Sequence, residues 1–165
     1  MQVIVFALFA IIAVVCGINV VVQTHPISSA LSLVGVMGSL AVLYLQLGGE
    51  FIAGAQMIVY AGAIMVLFVF VIMLLNAGAE SKRGRSLMAS LLGVPLLIAL
   101  LGLLAYFVQR LFPGALVHFG GFQGGTARDV GLALFTTYLL PFEITSLLIL
   151  IAIIGAVVLA RKELD

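Results

Sequence analysis

The sequence predicts an all-α, polytopic membrane protein with five transmembrane helices, and two observations carry that reading. The first is composition: 65% of residues are hydrophobic and 8% charged, with a mean hydropathy of +1.40. Soluble domains sit at about 45–50% apolar and about 25% charged. The second is that the apolar residues fall into five runs of roughly 20, the length needed to cross about 30 Å of hydrocarbon. In 165 residues such spans leave no room for a soluble catalytic domain. A net charge of +1 gives no reason to expect nucleic acid as a partner.

The spans are expected at about 3–22, 27–47, 51–75, 87–108 and 138–160, within a single transmembrane domain covering 1–165. The first lacks a basic leader and its apolar run is too long for a signal peptide, so it reads as a retained helix. Pro26 and Pro141 suit first turns, where a missing N–H costs nothing. Pro95 falls inside the fourth span, where it predicts a kink. Between the fourth and fifth spans, residues 109–137 read as a glycine-rich outer loop, "LFPGALVHFGGFQGGTARD" at its heart.

Orientation follows from Lys and Arg, which cytoplasmic flanks retain. With five spans, Lys82, Arg83 and Arg85 share a side with Arg161 and Lys162, while the other side holds Arg110 and Arg128. The N-terminus is therefore expected outside and the C-terminus in the cytoplasm, in the cell inner (plasma) membrane.

Several chemistries are excluded by what the chain lacks. Cys16 is the one cysteine, so neither a disulfide nor an iron–sulfur cluster can be built within the chain. His25 and His118 fall in loops on opposite sides of the expected membrane, which disfavours a paired-His haem or metal site. The glycines of "HFGGFQGGT" match neither G-x-G-x-x-G nor a P-loop, and no nucleotide site is visible.

What the helices do carry is small residues at contact spacing. Ser28, Ser32, Gly35 and Ser39 recur on one face of the second span, with Gln46 a heptad further. Gly49, Ala53, Gln56, Tyr60 and Ala63 form a similar face on the third, whose other faces are thinned by Gly54, Ala55, Ala61 and Gly62. Such faces let another backbone approach closely. Ordinary helix packing explains the second span, and the slim third helix is expected to be surrounded by protein.

The third span, "EFIAGAQMIVYAGAIMVLFVFVIMLLN", closely resembles the third helix of subunit J of proton-pumping NADH:quinone oxidoreductase, respiratory complex I, the counterpart of mitochondrial chain 6. The signature V-Y-x-G-A-I-x-V-L-F-x-F-V spans Val59 to Val71. "HPISSALSLVGV" resembles the start of the family's second helix and "LFTTYLLPFEITSLLILIAIIGAVVLARK" its fifth. The match is weaker in the fourth span and the outer loop.

The resemblance implies a membrane-arm subunit that binds no cofactor itself, with FMN, iron–sulfur clusters and quinone in other subunits. Its partners would be other membrane-arm subunits and the lipid bilayer, with no direct NADH binding and no metal. It also implies a π-bulge in the third helix near Tyr60, whose conversion to regular helix is linked to opening of a hydrated proton path, coupling quinone reduction to proton translocation. Some family members carry a glutamate where this chain has Gln56, which hydrogen-bonds but does not titrate.

Glu50 and Glu143 fall near the outer interface, where ionisation is cheap compared with the midplane. Each reads either as a structural charge (a solvated helix-start residue at Glu50, a partner-facing residue at Glu143) or as a proton-path residue. Counting about 10 residues at 1.5 Å each from Glu50 puts Tyr60 some 15 Å deep. Its hydroxyl there needs a partner and serves either as a gate, with Gly62 permitting a change of winding, or as an anchor between helices. Two other readings stand behind the family one: the homologous subunit of a multisubunit cation/proton antiporter or hydrogenase-type complex, and a free-standing small transporter. No internal repeat favours the transporter.

Overall fold

The computed structural model describes residues 1–75, 87–112 and 124–160, with side chains left aside at 87–92 and 94. The basic residues at 82, 83, 85, 161 and 162, and His118, lie outside the described residues. Six helices follow in order: α1 (Gln2–Val22), α2 (Pro26–Gln46), α3 (Glu50–Leu74), α4 (Leu87–Leu111), α5 (Ala127–Phe135) and α6 (Leu139–Ala160). The described residues form no strand. In hydrocarbon a helix is the one single-segment structure that satisfies its own backbone polar groups. Runs as rich in Val and Ile as α1 and α6 are thus driven helical despite their β-branching.

Helices α1, α2, α3 and α6 are each long and apolar enough to cross a membrane, and α4 contributes a shorter apolar stretch, Pro95–Leu111, with Pro95 inside the helix. The chain is an all-helical, multi-pass membrane protein.

The α1–α2 hairpin turns within three residues, because His25 is extended and Pro26 opens α2 at its first position. It is fastened by polar side chains. The Ser29 hydroxyl donates to the Val20 carbonyl at 2.7 Å, and Asn19 Nδ2 donates to Ser32 Oγ at 2.7 Å. Gly35 lets α1 come close: a Cβ there would lie 3.0 Å from Cys16 Sγ.

Helix α2 ends in a Schellman motif. Gly48 is left-handed (φ 91°), its N–H bonds the Leu45 carbonyl at 3.1 Å and the Gly49 N–H bonds the Tyr44 carbonyl at 2.9 Å. The chain reverses into α3, which runs along α2 for its full length. The buried positions of this three-helix unit are small or flexible: Ala30, Ser39, Ala41, Ala53, Gln56 and Met65. That is how membrane helices gain contact, by close backbone approach rather than by greater apolarity.

The stretch read from sequence as loop, 109–137, contains more structure than that. α4 runs to Leu111, and α5 forms because Thr126 caps it: its Oγ1 accepts the Asp129 N–H at 3.3 Å and donates to Asp129 Oδ2 at 2.6 Å. At the end of α5, Phe135 meets Phe142 of α6 edge-to-face at 5.0 Å.

Candidate functional site

Helix α3 is not one uniform helix. Glu50–Ala55 is α-helical, Gln56–Ile64 is π-helical and Met65–Leu74 is α-helical again. At the end of the π segment the Met65 N–H bonds the Tyr60 carbonyl, five residues back. Runs of i→i+5 bonding are rare and concentrate at functional sites.

The wide winding decides which side chains meet α2. Gln56 and Met65 are both buried, although nine residues apart they would stand about 180° from each other at the 100° per residue of an α-helix. Between them Ala61 is half-buried, so the inward face steps by five and then four. Rewound as α-helix, the segment would carry Met65 about half a turn away and bring Tyr60 and Ala63 towards the Gln56 side. A Cβ at Gly62 would lie 3.2 Å from the Met57 carbonyl. The glycine leaves that approach across the wide turn free.

Gln56, 8% exposed, directs Nε2 to the Met37 sulfur of α2 at 3.0 Å. A thioether is a weak acceptor, so the amide is held loosely for a buried polar group. Tyr60 is 51% exposed within this chain, and its hydroxyl has no hydrogen-bond partner among the described residues. Ala63 is exposed as well. Most of the π segment therefore faces away from the chain's own helices, and only one side of α3 is covered by them.

Beside the start of the π segment, a groove of about 370 Å³ runs between α2 and α3, lined by Gly38, Ala41, Leu45, Glu50, Ala53 and Met57. Glu50 stands in the first turn of α3. Glu143 is exposed near the start of α6, and its backbone carbonyl accepts the Ser146 hydroxyl at 2.7 Å. From Phe51 to Leu74 no residue is charged, so beyond Glu50 α3 offers hydroxyl, amide and backbone groups and no carboxylate.

The small residues of α2 divide by neighbour. Ser32 and Gly35 face α1, the Ser28 carbonyl accepts the Ser32 hydroxyl at 2.9 Å, and buried Ser39 donates to the Gly35 carbonyl at 2.9 Å. Among the described residues no three His, Cys, Asp or Glu side chains stand together as a metal site would need.

Three participants escape sequence reasoning. Met37 and Met65 look like generic apolar residues; Met37 receives the Gln56 amide, and the winding brings Met65 inward. Gly125 is the third: buried, it accepts the Phe51 N–H on its carbonyl at 2.9 Å. Its signal lay in "GGTARD", two glycines ahead of a T-x-x-D helix start.

Comparison with known proteins agrees along nearly the whole chain. A family described as NADH-ubiquinone/plastoquinone oxidoreductase chain 6 matches residues 16–159. A NAD(P)H-quinone oxidoreductase chain 6 of Synechocystis sp. is 35% identical, over 99% of this chain and 82% of the relative. NADH-quinone oxidoreductase subunit J of Pseudomonas aeruginosa is 36% identical over 92% of both chains. Subunit J of Escherichia coli is 31% identical over 96% of this chain and 86% of its own length.

Proposed function

The chain belongs to the family of NADH-ubiquinone/plastoquinone oxidoreductase chain 6, and on that premise we propose that it is a non-redox membrane-arm subunit coupling quinone reduction to proton translocation through α3. The observation that carries this is the π segment Gln56–Ile64. A stretch that can bond i→i+5 or i→i+4 has two windings, and the two present different side chains to α2 and to whatever covers the far side. Switching between them swaps Met65 for Tyr60 and Ala63 at the contact and changes where hydroxyl and amide groups can order water. The chain moves no electron and binds no NADH; flavin, iron–sulfur clusters and quinone belong to its partners.

With no charge between Phe51 and Leu74, α3 acts as a gate on a water path completed by neighbouring subunits. Tyr60 supplies the hydrogen bond and Gly62 the room. Glu50, which lines the groove, and Glu143 are the carboxylates that α3 and α6 bring near the outer surface.

Five crossings are supported by the bond between the Phe51 N–H and the Gly125 carbonyl. Its two ends share one membrane face, which α3 leaves once, so the chain has to return between Leu74 and Gly125. Helix α4, 25 residues and so about 37 Å long, is the described element with that reach. Positive residues then favour an outer N-terminus and a cytoplasmic C-terminus. A cysteine introduced at Gln123 should be labelled by impermeant reagent in right-side-out vesicles, while one at Ser81 stays unlabelled; the opposite pattern refutes the orientation.

The gate is tested by Tyr60→Phe and Gly62→Leu in the purified, assembled complex. Both should lower proton pumping and quinone reductase activity together. For Tyr60→Phe the loss should be about fivefold, the worth of one hydrogen bond near 1 kcal/mol. Electron transfer from NADH to an artificial acceptor should be unchanged. Parental pumping in both variants would remove α3 from the coupling step.

A further inference from the structure

The outer end of α3 is held by a residue 74 positions later in the chain. Gly49, at the N-cap, supplies no side-chain oxygen, and the first-turn amides of a helix have no intrahelical partner. One of them, the Phe51 N–H, is satisfied by the Gly125 carbonyl at 2.9 Å. The fit depends on glycine: a Cβ at Gly125 would overlap the Gly48 carbonyl and come within 3.1 Å of Gly49 Cα. Gly124 before it is left-handed at φ 112°, and Thr126 after it caps α5, so the acceptor segment is fixed on both sides. Among the described residues the other end of α3 has no such clamp, and Leu74 is exposed.

We propose that Gly125 is a positioning residue for the coupling reaction: its carbonyl caps α3 through Phe51 and holds the Glu50–Ala55 half still, so that a change of winding in Gln56–Ile64 rotates the Met65–Leu74 half. This rests on the reading of α3 as a gate. Without an anchor, rewinding would be shared between the two halves and less rotation would reach Met65. The loop thus acts as the fixed end against which the helix turns. Its geometric demand, no Cβ at 125, lies far in sequence from the segment it governs.

The test uses the assembled oxidoreductase carrying Cys16→Ala and Val66→Cys. Thiol labelling at 66 is compared at rest and during turnover with NADH and quinone, and amide exchange is followed over 50–55. In the parent, labelling at 66 changes with turnover; if it does not, the gate reading fails, whatever Gly125 does. Gly125→Ala and Phe51→Pro should each speed exchange over 50–55 about fivefold, as loss of one hydrogen bond implies, shrink the turnover-dependent labelling change, and lower coupled activity. Phe51→Pro deletes the donor, its Cδ displacing the Gly125 carbonyl while residue 125 stays glycine, and its first-turn position tolerates proline as α6 tolerates Pro141. Phe51→Ala, which keeps the N–H, should behave as the parent. A merely structural loop would alter the yield of complex and leave the labelling ratio unchanged. If Gly125→Ala does not assemble, Phe51→Pro against Phe51→Ala decides. Parental exchange and coupling in Phe51→Pro, with a responsive parent at 66, would overturn the anchor while leaving the gate intact.

Discussion

Helices α1 and α3 both pack on α2, whereas among the described residues α4 packs on no other helix and α6 meets only α5. Apolarity does not separate the two groups, since α1, α3 and α6 are comparably greasy and α2, which touches both its neighbours, is the least so. What separates them is where small and polar groups point. Ser29, Asn19, Ser32 and Gly35 reach across the α1–α2 seam. On α6 the hydroxyls of Thr145 and Ser146 fold back on the carbonyls of Phe142 and Glu143. Lipid solvates a Leu as well as another helix does, so association needs close approach or a hydrogen bond. The first three helices are stapled within the chain, and the other two long helices are left for neighbours.

Gly35→Leu should break the packed half most severely. With Cys16 Sγ 3.0 Å from even a Cβ, overpacking of about 1–3 kcal/mol is expected to cut the amount of folded subunit and of assembled complex together. Ala63→Leu sharpens the contrast because Ala63 is exposed within the chain. Subunit levels should hold while co-purification of partner subunits falls by about 1 kcal/mol of contact, close to fivefold at 1.4 kcal/mol per decade; undiminished co-purification would turn that face toward lipid. Asn19→Ala should cost about 0.6 kcal/mol, the usual worth of an interhelical membrane hydrogen bond, and a double-mutant cycle with Ser32→Ala should recover that coupling. The smallest effect belongs to Ser39→Ala. Its hydroxyl bonds its own helix at the Gly35 carbonyl, so thermal stability of the complex should move by no more than about 0.5 kcal/mol.

The long apolar helices were legible because a membrane span announces itself by length and composition, and those depend on no partner. Helix α5 was not: with Arg128, Asp129 and Gly131 it has the polarity of a loop, and its capping residues are the sole local sign of a start. Within α3 the 3.6-residue period located the inward face at Ala53 and Gln56, then lost it. From Gln56 onward the wide winding moves the face to Ala61 and Met65, leaving Tyr60 and Ala63 outside. No residue between Gln56 and Ile64 compels that winding by its own propensity. The π segment was expected from family likeness, and Met37, Met65 and Gly125 came into view only with the fold.

That α4 stands apart among the described residues bears on how such a polypeptide is made. In water an unaccompanied apolar helix would aggregate; in a bilayer its Leu and Ile side chains are already in a solvent that suits them. A ribosome can therefore deliver the second half of this chain before any companion has been synthesised, and the helix can wait, sliding laterally, without being recognised as unfolded. The first half must find its own order during translation, and the second acquires its neighbours by encounter. Biogenesis of this subunit is thus split between an intramolecular step set by sequence and an intermolecular one set by supply.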